Sequence, residues 1–262
     1  MNVPEIPELA PYPLPEGVRQ TLLDLAGQSD TLFIGEMHGT QEPPRFLAWL
    51  LESLKTLGYG SLALELPHTL RAPLIVWAKS ETDDATAPPP FFAQPGLDGR
   101  GNVQMLVLVR AAVRSGWQLF CFDQADHEWT APFVWTERDR RMAENLAAQW
   151  EQFAPNAKVV AVCGNMHSRT VMPAPDADPF WREHWPSCAA VLQELRPNVR
   201  VNSLNLLFHA GTFFNMTLRD DLGSGEPLSA PEIRRPDNAH HTLYLHLPRA
   251  TAATFLVEPA DP

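Results

Sequence analysis

The stretch "DTLFIGEMHGTQEPP", residues 30–44, decides how the rest of the chain is read. Thr31–Ile34 is a short continuous apolar run, the pattern of a strand buried on both faces. The segment after it has helical period: Phe46, Leu47, Leu50, Leu51, Leu54 and Leu57 fall on one face. Thr40 is placed to cap that helix, Pro43 and Pro44 are tolerated near its first turn, and Gly58 stops it. A buried strand feeding an amphipathic helix is the repeating unit of a parallel sheet.

The same alternation recurs on either side. A helix over 17–27 precedes the stretch, and "SLALEL" (61–66) is the second apolar run. A helix over 103–115 leads to "WQLFCFD" (117–123). A helix over 136–153, capped by Thr136 and turning Met142, Leu146, Trp150 and Phe153 inward, leads to "KVVAVCGNMH" (158–167). The pattern predicts an α/β fold, a mostly parallel central sheet flanked by helices on both faces. Beyond Arg200, "VRVNSLNLLFHAGTFFN", "HTLYLHL" and "TFLV" predict extra C-terminal strands, some of them antiparallel. Residues 219–240 read as a polar surface excursion and 1–16 as a Pro-rich arm packed along the surface. The Pro-rich segment 79–101 reads as a lid or a disordered stretch. With no internal repeat and no dividing linker, the 262 residues are expected to form a single α/β domain.

Charge narrows the function. A net charge of −11, from 31 acidic and 20 basic residues without a basic cluster, argues against nucleic acid. No apolar run approaches the roughly 18 residues of a membrane span. The N-terminus has neither the basic start nor the apolar core of a secretory signal. Of the three cysteines, Cys121 and Cys163 lie in apolar runs and read as buried thiols, while Cys188 leaves the count odd. The default expectation is a reducing, cytoplasmic setting.

In open α/β sheets ligands bind at the carboxyl ends of the strands. There the four runs deliver Glu36 and His38; Glu65, then His68; Asp123, then Asp126 and His127; and Asn165, His167 and Arg169. Residues two apart on an extended segment point to one side, so Glu36 and His38 address one pocket. The helix start beside them favours negative charge. Polar residues are also common wherever strands leave a core, so Asp123 alone carries little weight; Glu36, His38, Glu65 and His167 carry more as a set. His184, His209, His240, His241 and His246 lack such context and read as surface or structural. The loops at this edge hold Phe91, Phe92, Trp129, Phe133, Trp135, Phe180, Trp181 and Trp185. These form the walls of an apolar pocket or simply pin long loops to the body.

At "GEMHGTQE", "LALELP", "RDRRMAENL" and "VVAVCGNMHSR" the chain resembles the superfamily that joins erythromycin esterases, ChaN-like haem-uptake proteins and Tiki-type proteases. The match runs from about residue 30 to 170, with a weaker echo in "HTLYLHLPRATAATF". Gly35, Glu36, His38, Gly39 and Glu42 resemble its Gly-Glu-x-His or Gly-Glu-x-x-His-Gly-x-x-Glu signature, one residue shorter than the esterase form between Glu36 and His38. Gly164 and His167 match its Gly-x-x-His. The resemblance implies a mixed α/β fold with the site at the strand ends. In the esterase branch the first histidine activates water without metal; in the Tiki branch histidines and a glutamate hold a divalent cation; the ChaN branch binds haem between subunits. Tyr12, Tyr59 and Tyr244 all lie away from the motifs.

The expectation is a hydrolase acting on an ester or amide of a mid-sized, partly apolar small molecule or peptide. His38 would be the base on water, with Glu36 or Glu65 orienting it and raising its pKa. His167 would be a second acid/base or oxyanion partner. Asn165, Arg45 and Arg138 would be polar anchors, and Glu42 and Asp123 complete the substrate-binding set. No cofactor is favoured. Two histidines and two carboxylates would also suit zinc or manganese. A pocket that holds a haem-like ligand without turnover is the third reading.

Overall fold

A computed structural model describes residues 9–80, 87–93, 98–129, 131–220, 222–223, 226–235 and 240–257. The start of the Pro-rich arm (1–8) and two parts of the expected lid segment (81–86 and 94–97) lie outside the described residues. The strands are β1 Thr31–Glu36, β2 Tyr59–Pro67, β3 Gln118–Asp123, β4 Lys158–Gly164, β5 Val201–Phe208, β6 Phe213–Asn215, β7 Thr217–Arg219, β8 Glu232–Arg234 and β9 Leu243–Leu247. Seven form one sheet in the order β3-β2-β4-β1-β5-β9-β8. Its pairings are parallel except for β8, which runs antiparallel to β9. β6 and β7 form a separate antiparallel hairpin.

The helices are α1 Glu16–Gly27, α2 Glu42–Leu54, α3 Arg71–Lys79, α4 Pro90–Ala93, α5 Val103–Arg114, α6 Trp135–Phe153, α7 Pro179–Glu183 and α8 Cys188–Leu195. Alternate strand residues pack to opposite faces. Leu32, Ile34 and Leu64 join Leu22, Leu50, Leu74 and Leu106 from α1, α2, α3 and α5. Phe33, Ala63 and Phe120 join Met142, Leu146 and Val191 from α6 and α8. Each fully buried leucine or phenylalanine stabilises the fold by about 1.5–3 kcal/mol, so both layers are held by the periodicities in the sequence.

Four local expectations are corrected. "TFLV" adds no strand; the nearby Ala252 makes only an isolated bridge to Thr40. The polar excursion over 219–240 contributes β8. Thr40 does not cap α2: the cap position is Gln41, and the Thr40 hydroxyl donates to the Met37 carbonyl at 2.7 Å, closing the turn after β1. Likewise Thr136 lies inside α6, whose cap position is Val134. The stop at Gly58 is as expected, with φ 87 after a short 3-10 turn.

β1 and β4 are neighbours, with Glu36 opposite Gly164. The chain leaving β1 enters α2 on one face, and the chain leaving β4 reaches α8 on the other. Connections that diverge from adjacent strands open a crevice at their carboxyl ends.

Candidate active site

Glu36 is the last residue of β1 and is buried. Glu36 and His38 do meet, but through a turn rather than strand alternation, since the strand stops at Glu36. Gly39 makes the turn at φ 73, where a Cβ would run into the Phe214 carbonyl. Its own carbonyl accepts from Phe214 N and Ala253 N at 3.0 and 2.8 Å. The result sets His38 Nδ1 at 3.0 Å from Glu36 Oε1 and Nε2 at 3.4 Å from Glu65 Oε2. Glu65, in β2, also accepts from Gly164 N at 2.7 Å. A Cβ on Gly164 would stand 3.0 Å from His38 Nε2, so that glycine leaves room for the ring.

A buried ion-pair cluster lies behind these groups. Arg138 Nη2, from α6, donates to Glu65 Oε1 at 2.5 Å and to Asp123 Oδ2 at 2.7 Å. Arg100 Nη1 donates to Asp123 Oδ2 at 2.6 Å and to the Glu65 carbonyl at 2.9 Å. Burial disfavours the Glu65 carboxylate, yet the cations around it, Arg138 and His38 among them, hold it well below the usual carboxylate range. Asp123 is lowered in the same way: burial opposes its charge and Arg138 overcomes it. For His38, burial disfavours the cation, but the Glu65 and Glu36 carboxylates outweigh that and raise the ring from 6.5 to about 10.

His167 is held differently. Its Nδ1 is 2.7 Å from Asp139 Oδ1 and its Nε2 is 2.8 Å from Arg138 Nη1. A guanidinium only donates, so Nε2 accepts and Nδ1 carries the proton given to Asp139. The hydrogen-bond network thus assigns a single tautomer. Asp139 Oδ1 also accepts from Cys188 N at 2.8 Å, tying this arrangement to the start of α8. The turn that carries Asn165 and Ser168 is braced by His241, whose Nε2 is 2.9 Å from Ser168 Oγ and 3.1 Å from the Asn165 carbonyl. Burial lowers His241 to about 3, so it stays neutral.

These groups border a cavity of about 220 Å³, lined also by Met37, Asp98, Trp135, Met166, Phe213 and Asn215. Glu36, His38, Glu65, Arg138, Asn165 and His167 all line it. Asp123 does not, and reaches it through Arg138 and Arg100. Glu42 and Arg45 are not brought to it: Glu42 Oε2 accepts from Thr251 N at 3.0 Å, and Arg45 Nε donates to the Ala10 carbonyl at 3.0 Å. No residue of the first turn of α2 lines the cavity among the described residues, so that helix start does not serve the site.

Sequence reasoning missed Arg100 and Asp139, while His241 takes the structural role read for it. Asp139 had a signal, since with Arg138 it falls three and four residues before Met142, on the inward stripe of α6. Arg100 had none, because it sits in the Pro-rich segment without periodicity.

Among the described residues no group of three or more His, Cys, Asp or Glu side chains is set to hold a metal ion. The cation of Arg138 occupies the His167 nitrogen that a metal would need, and Glu65 already bridges two arginines. These residues do not fit a Tiki-type divalent site. No tyrosine lines this cavity to offer a haem ligand: the Tyr59 hydroxyl donates to the Ala26 carbonyl and that of Tyr244 accepts from His240 N.

Solved structures share this architecture. An erythromycin esterase, EreC, in its open conformation is 11% identical with a TM-score of 0.65, over 95% of this chain and 98% of that one. A succinoglycan biosynthesis protein is 10% identical with a TM-score of 0.66, over 95% and 94%. A protein from Bacillus cereus is 10% identical with a TM-score of 0.64, over 95% of each chain. At these identities the likeness is one of fold. No family profile matches the chain, and no curated protein does.

Proposed function

We propose that this chain is a hydrolase that adds water to an ester or amide of a mid-sized, partly apolar substrate in the cavity between β1 and β4. The observation that carries the reading is the imidazole of His38 held between two carboxylates at the cavity wall. Water attacks the carbonyl carbon, its oxygen forming the new bond as the bond to the leaving group breaks. His38 takes one proton of the water and passes it to the departing group, which leaves as the alcohol or amine. At pH 7 a ring raised to about 10 is neutral in about one molecule in a thousand, so the rate on this mechanism climbs with pH. His167, whose two ring nitrogens are held by Asp139 and Arg138, positions the guanidinium at the cavity wall, with Arg138 and Asn165 as polar anchors for the substrate. A positioned acid or base contributes about 10²–10⁴-fold, and the charged wall supplies electrostatic stabilisation besides. The fold shared with an erythromycin esterase supports esters as the first class to test.

The test is turnover of a panel of chromogenic esters and amides by the wild type and His38→Ala, each with and without a chelator. Turnover that survives chelation and disappears in the variant is expected. Equal turnover by His38→Ala, or none by the wild type, overturns the reading. Loss on chelation that zinc or manganese restores would replace it with a metal-dependent hydrolase.

A further inference from the structure

We infer that the substrate carries a flat apolar group beside the scissile bond, received by an aromatic platform that starts at the cavity wall; this rests on the hydrolase reading. Trp135 lines the cavity and lies 5.6 Å, ring to ring, from His167. From Trp135 the rings continue outward in both directions. Phe133 is 5.1 Å away, edge-on at 79°, and Trp129 another 5.2 Å beyond it, stacked at 13°. On the other side His184 is 5.3 Å away, and Phe180 a further 4.3 Å.

Rings that merely pin a loop are buried, as Phe92 of the neighbouring segment is, at 1% exposure. Those of the platform stand open, from 38% for Trp135 to 50% for Phe180. A contiguous exposed apolar strip marks a contact surface. This one is rigidly mounted. The buried guanidinium of Arg169 donates to the Met166 carbonyl in the site turn and to the Trp181 and His184 carbonyls under the platform. Arg138 lies 5.3 Å from the Trp129 ring.

The occupant follows from size and continuity. A drug-sized ligand needs about 300–1,000 Å³, and the cavity offers about 220 Å³. The cavity therefore takes the reacting carbonyl and its near neighbours, and the remainder extends over the surface that shares Trp135 with it. Aromatic faces favour a planar partner in offset-stacked or edge-on contact over an equally apolar saturated one.

The probe is 1-(2-naphthyl)propan-2-one, a ketone with no leaving group, compared with its cyclohexyl counterpart. Each is titrated into the full-length chain while the tryptophan indole NMR signals are followed. The naphthyl ketone is expected to move the Trp129 and Trp135 signals saturably and to bind about 2- to 10-fold more tightly than the cyclohexyl ketone. Phe133→Leu, which keeps apolar bulk but removes the flat face, is expected to erase that preference. Equal affinities, or indole signals that stay still, overturn the inference. So does sedimentation showing that the strip is covered by a second copy, with self-association lost in Phe133→Leu. Ester turnover without binding on the platform leaves the hydrolase reading standing and this one refuted. Platform binding without turnover of any ester refutes the hydrolase reading and leaves the strip as a binding surface for a flat ligand.

Discussion

Glu36→Gln isolates the electrostatics of His38. Glutamine keeps the shape of the side chain and an oxygen to accept the Nδ1 proton, but removes the charge 3.0 Å away. At an effective dielectric of about 20, a charge pair at that distance is worth about 5 kcal/mol, and the Glu65 pair at 3.4 Å about as much again. The rise of His38 from 6.5 to about 10 corresponds to about 5 kcal/mol net, so burial offsets roughly half of the sum. Removing one carboxylate should then cancel the whole net rise and return the ring to about 6.5. The assay follows the His38 Cε1 proton by NMR across pH, beside the pH dependence of kcat/KM. In the wild type the rate should climb about tenfold per pH unit toward 10, and in the variant the limb should move down with the ring. At pH 7 the variant should then be faster than the wild type, because the gain in neutral imidazole outweighs its lower basicity. A wild-type His38 that titrates near 6.5 would refute the reasoning, as would a variant whose ring moves by less than about half a pH unit.

Other consequences are as direct. Asp123→Asn leaves Arg138 and Arg100 with one buried carboxylate between them and should cost about 3–5 kcal/mol, read from the denaturant midpoint. Asp139→Asn keeps an oxygen for the His167 Nδ1 proton and the Cys188 amide but removes the buried charge, and should cost about 1–3 kcal/mol of stability, read from the denaturant midpoint. Stability should be greatest near pH 6.5. Below it the unfolded chain protonates His241, which burial keeps neutral in the fold down to about 3, and below about 4.5 protonation of Glu65 and Asp123, whose folded values are depressed, removes more. Above it the contribution of His38, complete below 6.5, is lost as pH rises toward about 10. Unfolding curves of the wild type and His38→Gln across pH check the alkaline arm, which should flatten in the variant.

The layered α/β fold was legible because its signals are local. Each strand is a run of a few apolar residues, and each helix repeats its apolar stripe over three or four turns, so Leu32 or Leu50 declares its layer from its neighbours alone. The polar residues that end β1, β2 and β4 were legible for the same reason, as strand termini that a parallel sheet must gather on one edge. Local signals failed where a residue had more than one polar task. Glu42 and Arg45 lie in the same motif and helix start as His38, yet they bond Thr251 and Ala10, segments no spacing rule connects to them.

The sequence by itself therefore determined the layers, the edge that gathers the candidate site, and the identity of the polar groups at the ends of its strands. Tertiary structure alone decided which charges meet. Arg100 arrives from a segment without periodicity, and Asp139 reaches His167 only because α6 packs against the sheet face beside β4. The protonation of His38 depends on the distances to two carboxylates and on the water excluded around them. Coulomb energies change steeply with both, and neither is written in the order of residues along the chain.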